Sequence, residues 1–147
     1  MSETTPPIPT CILTPAGLTP APYQVRSLTE AVRYEPRGVY TVARTFRGDH
    51  ALLLDAHLDR LEQSAHLVNI PLRLDRGRLR AALRELLHQA NYADAKFRIT
   101  VSYEHPDWLY FALEPFRPVP EEIVRRGAHV ITTPLVRQNP VVKTTDW

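Results

Sequence analysis

The chain has 147 residues, 44% of them hydrophobic and 23% charged, with a formal net charge of only +2. That length suits one domain whose core needs no disulfide or metal, and so small a charge, with acids interleaved among the bases, argues against a nucleic-acid or membrane surface. Cys11 is alone and can close no internal disulfide, no apolar run nears the roughly 18 residues of a membrane span, and the start Met1-Ser2-Glu3 is no secretory signal, so a cytoplasmic protein is expected.

Residues 1–22 hold six of the 14 prolines and are expected to be a flexible tail without regular structure. Order is expected from Tyr23, with a short helix over 27–34 ended by Pro36. The run GVYTVARTF (38–46) is β-branched, aromatic and alternating, and reads as a strand. Val39, Thr41, Ala43 and Thr45 face one way; Tyr40, Val42, Arg44 and Phe46 face the other. Gly48-Asp49 turns the chain into a second strand over 50–54, making a hairpin. Asp55 is the expected N-cap of a helix over 56–68, whose Leu58, Leu61, Ala65 and Val68 form one stripe. Asp75 caps a second helix over 76–91, with Leu79, Leu83, Leu86 and Ala90 inward. Strands follow over 97–103 and 108–114, joined by the turn Glu104-His105-Pro106-Asp107. Pro115, Pro118 and Pro120 mark a linker, and 127–133 reads as a further strand.

The expected class is α+β: a small, mainly antiparallel sheet with two helices packed on one face. The expected organisation is a tail (1–22), an α+β domain (23–120), and a linker with the truncated start of a further domain (121–147). That last expectation comes from the stop at Trp147, inside Val141-Val142-Lys143-Thr144-Thr145-Asp146-Trp147.

Three segments, GVYTVARTF (38–46), LDAHLDRLEQSAHLVNIPL (54–72) and VVKTTDW (141–147), together resemble the fold type IV (class IV) pyridoxal-phosphate family. That family includes branched-chain aminotransferases, D-amino-acid aminotransferases and aminodeoxychorismate lyases. The segments come in the family's order, and the resemblance spans about residues 35–147. It implies that Lys143 joins pyridoxal 5'-phosphate covalently and shuttles a proton at the substrate α-carbon, a task that needs an amine neutral near pH 7. It implies that Arg60 binds the cofactor phosphate, for which a planar guanidinium is suited. Tyr40, Val42 and Arg44 would line the substrate pocket. The plainer readings are a solvated lysine, a surface arginine paired with Asp59 or Glu62, and an aromatic with a snorkelling arginine on a half-exposed sheet. His57 and Ser64 share the side of Arg60, and a structural role for His57 is at least as good a reading.

Two departures stand out. Tyr103-Glu104 occupies the place of the Arg-Gly pair usual in the D-amino-acid enzymes and lyases, and the glycine-rich turn before the first strand is reduced to Glu35-Pro36-Arg37-Gly38. The implied partners are an amino acid, a 2-oxo acid and a second copy of the chain, with no nucleic acid or membrane. The implied function is amino-group transfer by the N-terminal portion of such an enzyme. The alternatives are a lyase of the same family or a non-catalytic dimerisation module that has lost its cofactor domain.

Overall fold

The computed structural model describes residues 5–137 and 139–146. Ten elements follow one another: β1 (Thr10–Thr14), β2 (Gly17–Pro20), α1 (Leu28–Ala31), β3 (Gly38–Phe46), β4 (His50–Ala51), α2 (Leu54–Leu67), α3 (Arg76–Ala90), β5 (Ala95–Ser102), β6 (Leu109–Pro115) and α4 (Glu121–Arg126). The strands form a six-stranded sheet in the order β2-β1-β6-β5-β3-β4, with every neighbouring pair antiparallel. The fold is α+β.

The alternation of the strands assigns the two faces. Val39 and Ala43 of β3, Phe97, Ile99 and Val101 of β5, and Leu109, Phe111 and Leu113 of β6 share one core with the apolar stripes of α2 and α3. Leu58, Leu61, Leu79, Leu83 and Leu86, all expected inward, are buried there, and each such leucine contributes about 1.5–3 kcal/mol of transfer free energy. The other face carries a second cluster, in which Ile8, Val25, Leu28 and Ala31 cover Ala112. Among the described residues, no helix is long and apolar enough to cross a membrane.

Four expectations are corrected. Residues 1–22 are not devoid of regular structure: β1 inserts against β6 and carries β2 as an edge strand. The prolines permit this because Pro9 precedes β1, Pro15 sits in the turn and Pro20 ends an edge strand, all places where a missing donor costs little. No strand forms over 127–133, where Val130 and Ile131 are more than four-fifths exposed; that stretch has no paired neighbour, and a lone strand leaves its ladder groups unmatched. Helix α2 starts before Asp55: Leu53 occupies the cap position in the left-handed region (φ 52°) without a side-chain cap, and Asp55 lies in the first turn. Strand β4 has two residues rather than five, because the chain coils into α2 straight after it. By contrast, Asp75 caps α3 as expected, its Oδ1 accepting from Arg78 N–H at 3.0 Å, and Ser27 caps α1 by accepting from Glu30 N–H.

Candidate active site

The free edge of β3 is shared by two segments. Strand β4 pairs with its far end, and residues 142–146 close its near end. Tyr40 N–H donates to Lys143 O at 2.9 Å, Thr145 N–H donates to Gly38 O at 2.8 Å, and Val39 bridges Thr144. Gly38 N–H also donates to Thr145 Oγ1 at 2.8 Å, and Arg37 Nε meets Asp146 at 2.7 Å. Val142 anchors this addition: its side chain is buried in the main core. From α2, the buried Ser64 accepts from Lys143 N–H at 3.3 Å. Lys143 is thus pinned through its backbone between β3 and α2.

The side chain of Lys143 is half-buried, with Nζ 5.6 Å from the centroid of the Tyr40 ring. Desolvation is the main cause of an amine pKa below its ordinary value, and the guanidinium groups of Arg60, Arg137 and Arg98 add to it by repulsion. Both causes favour the neutral, nucleophilic form. His57 lies in the same field, its pKa lowered first by burial and then by Lys143 and Arg60. Its Nδ1 is 3.1 Å from Thr41 Oγ1, which gives this histidine a structural partner.

Arg60 lies exposed on α2, close enough for its charge to act on both Lys143 and His57. Asp59 and Glu62, its partners in the plainer reading, are both taken by Arg76 of α3. Among the described residues Arg60 has no hydrogen bond or ion pair, so its donors are available to an anion. Tyr40, Val42 and Arg44 share one face of β3, as their spacing predicts, but they do not act alike. Tyr40 is buried beside Lys143. Val42 and Arg44 line a neighbouring shallow cavity of about 300 Å³ with Leu52, Leu53, His57 and Phe116. Arg44 rests its guanidinium 4.3 Å from the centre of the Phe116 ring.

The sequence reading missed a buried polar group behind Tyr40. Arg98, opposite Val42 in the β3–β5 register, donates from Nε to Glu35 Oε2 at 2.6 Å, and Thr100 Oγ1 donates to the same oxygen at 2.6 Å. Both side chains of the ion pair are almost wholly buried, at 5% and 1% exposure. Removing either partner strands a charge, a loss of about 3–5 kcal/mol. The Arg98 guanidinium carbon lies 3.7 Å from the Tyr40 ring centroid. The available signal was the alternation of Lys96, Arg98, Thr100 and Ser102 along β5, which by itself reads as a solvated face.

The family model for class IV amino-transferases matches residues 38–146. No curated protein matches the chain. A candidate branched-chain amino acid aminotransferase from Thermotoga maritima is similar in fold, with a TM-score of 0.62 at 19% identity over 94% of this chain and 50% of that one. A hypothetical aminotransferase from Mycobacterium tuberculosis, bound to alpha-ketoglutarate and PMP, gives 0.54 at 25% identity over 80% and 43%. A candidate 4-amino-4-deoxychorismate lyase gives 0.50 at 27% identity over 73% and 41%. The chain spans half the length of these solved relatives, or less.

Proposed function

Because the chain belongs to the class IV amino-transferase family over residues 38–146, we propose that it is the portion of a pyridoxal-phosphate enzyme that supplies the cofactor-bearing lysine, and that the enzyme moves an amino group between an amino acid and a 2-oxo acid. The observation that carries this reading is the state of Lys143, a backbone-pinned amine held over Tyr40 with its pKa depressed by burial and three arginines.

The residues present fit the cofactor. Lys143 would offer its aldehyde carbon an amine whose pKa is held below the ordinary lysine value by burial and nearby guanidinium groups, and the guanidinium of Arg60 would offer a two-pronged donor to its phosphate. When bound, pyridoxal phosphate supplies an electron sink for the pair released at the substrate α-carbon. Lys143 Nζ would accept the proton released at that carbon and hold it as an ammonium, a role for which an amine of lowered pKa is suited. Tyr40 shields the amine from water on one side. Val42 and Arg44 border the adjoining cavity, where the substrate side chain is received. The cluster of cations around the amine favours a ligand rich in carboxylate and phosphate oxygens.

The likeness to a candidate lyase at 27% identity supports a second reading, in which a related enzyme eliminates rather than transfers. The two are separated by product analysis: transfer converts an added 2-oxo acid into an amino acid, whereas elimination does not. Assembly as a homodimer is part of the proposal, and sedimentation of the purified chain tests it.

The direct test treats the purified chain with pyridoxal phosphate and borohydride, then maps pyridoxyl adducts by mass spectrometry. The chain's lysines are Lys96 and Lys143 alone, and Lys96 is paired with Glu114 at 3.6 Å, so it serves as the internal control. The adduct is expected on Lys143, and Lys143→Ala abolishes it. Arg60→Ala weakens capture by about 1.5–3 kcal/mol, the range for a hydrogen bond to a charged group. Equal labelling of both lysines, with Arg60→Ala unchanged, overturns the proposal.

A further inference from the structure

Arg98 adds to the repulsion at Lys143 from within a nearly dry ion pair with Glu35, inside a small domain. Such a pair is weak evidence of stabilisation, because desolvation offsets most of its attraction. Its placement is more informative. One edge of the pair is held: Glu35 Oε2 takes both Arg98 Nε and Thr100 Oγ1. The guanidinium plane is presented to Tyr40, at 3.7 Å from the ring centroid. The same ring lies 5.6 Å from Lys143 Nζ. Among the described residues Arg98 Nη2 and Glu35 Oε1 are buried without a hydrogen-bond partner, so the geometry serves the ring contact rather than a full set of hydrogen bonds.

We propose that Arg98, locked by Glu35, is a positioning residue: it fixes the Tyr40 ring as the platform against which the Lys143 amine is held. This rests on the reading of Lys143 as the cofactor-bearing amine. The groups that face Lys143 are Arg60 and His57 from α2, Arg137 from the preceding loop, and Tyr40 and Arg98 from the sheet. Arg98 acts on the amine in two ways, through the ring it orients and through its own charge, which Glu35 partly cancels. The two members of the pair therefore have opposite effects on Lys143. Loss of the arginine removes a repelling charge. Loss of the carboxylate leaves that charge unmatched.

The experiment reads the amine itself. Reductive methylation with isotope-labelled formaldehyde tags Lys96, Lys143 and the N-terminal amine, and their methyl signals are followed by NMR across a pH titration. In the unaltered chain the Lys143 signal is offset from that of Lys96 by the ring current of Tyr40 and titrates below the ordinary lysine value. Arg98→Met is expected to raise the Lys143 midpoint toward that value and to abolish most of the offset. Glu35→Gln is expected to lower the midpoint further. Arg98→Lys, which keeps a cation against Glu35, restores the midpoint. Circular dichroism identifies the folded variants. If Arg98→Met does not fold, the opposed direction of Glu35→Gln and the rescue by Arg98→Lys decide the matter. An unmoved Lys143 signal in a folded variant overturns the positioning role, as does a shift in the same direction for Arg98→Met and Glu35→Gln, which is the mark of general loosening. Because no cofactor is added, failure to capture pyridoxal phosphate counts against the function alone, and unmoved midpoints count against the positioning alone.

Discussion

Holding a half-buried amine near three guanidinium groups is a thermodynamic burden. Burial and then the charges of Arg60, Arg137 and Arg98 place the folded pKa of Lys143 below its ordinary 10.5, while the unfolded chain keeps the ordinary value. Below the folded pKa both states carry the proton, and the folded state bears the whole penalty. Between the two values the unfolded state binds more protons, so stability rises with pH. Above both, the penalty is gone. Lys143→Met is therefore expected to raise the thermal midpoint at pH 7, and the gain should shrink as pH climbs through that window. Thermal unfolding at a series of pH values checks this; a gain independent of pH would show that the amine is hydrated. At this scale the sequence was a good guide to which residues gather: Tyr40 lies beside Lys143, and the charge of Arg60 reaches it. It was a poor guide to Arg98 and Glu35, because a strand that alternates polar with apolar residues looks the same whether its polar face meets water or a buried counter-charge.

Among the elements, β3 carries the site, and Gly38 sets where it can begin. A Cβ at Gly38 would lie 1.8 Å from Val101 O. No side-chain rotation relieves that clash, since the obstacle is backbone of the paired strand. Gly38→Ala is expected to destabilise the chain by about 3 kcal/mol or more, the upper end for overpacking, as read by chemical denaturation. It should also loosen Thr145, which bonds Gly38 in both directions. The helical stripes of α2 and α3 were plain in the sequence because apolar residues spaced three and four apart over several turns share one face of a helix and would scatter over both faces of a strand. The strands β1 and β2 were obscured by the count of prolines, which says nothing of whether each falls on a position that needs a donor. The misplaced cap of α2 has a similar origin: Asp55 has the chemistry of a cap, but its carboxylate faces Arg76 and Arg80 of α3, and the helix starts earlier without it.

For the whole molecule, the N-terminal segment closes both the sheet and the second core cluster. Ile12 and Leu13 are buried on β1, and Ile8 packs with Val25, Leu28 and Ala31. Deletion of residues 1–22 is therefore expected to cost far more than loss of a tail. It strips β6 of one of its two partner strands and uncovers the cluster around Ala112. Broadened amide signals and binding of a hydrophobic dye would report this; an unchanged thermal midpoint would contradict it. The α+β class and the single-face helical layer were legible from element order. The covering of the opposite face was not, because it depends on a segment whose composition reads as disordered.

The lysine-bearing segment also acts as a guard. An uncovered strand edge invites a second chain to add to it, and residues 143–145 occupy that position along the near end of β3. If this segment peels away, Lys143 leaves its place beside Tyr40 and a sticky border is bared in the same event. Exposure of the Lys143 amine to labelling and self-association of the chain should thus share one onset under mild denaturant, ahead of global unfolding.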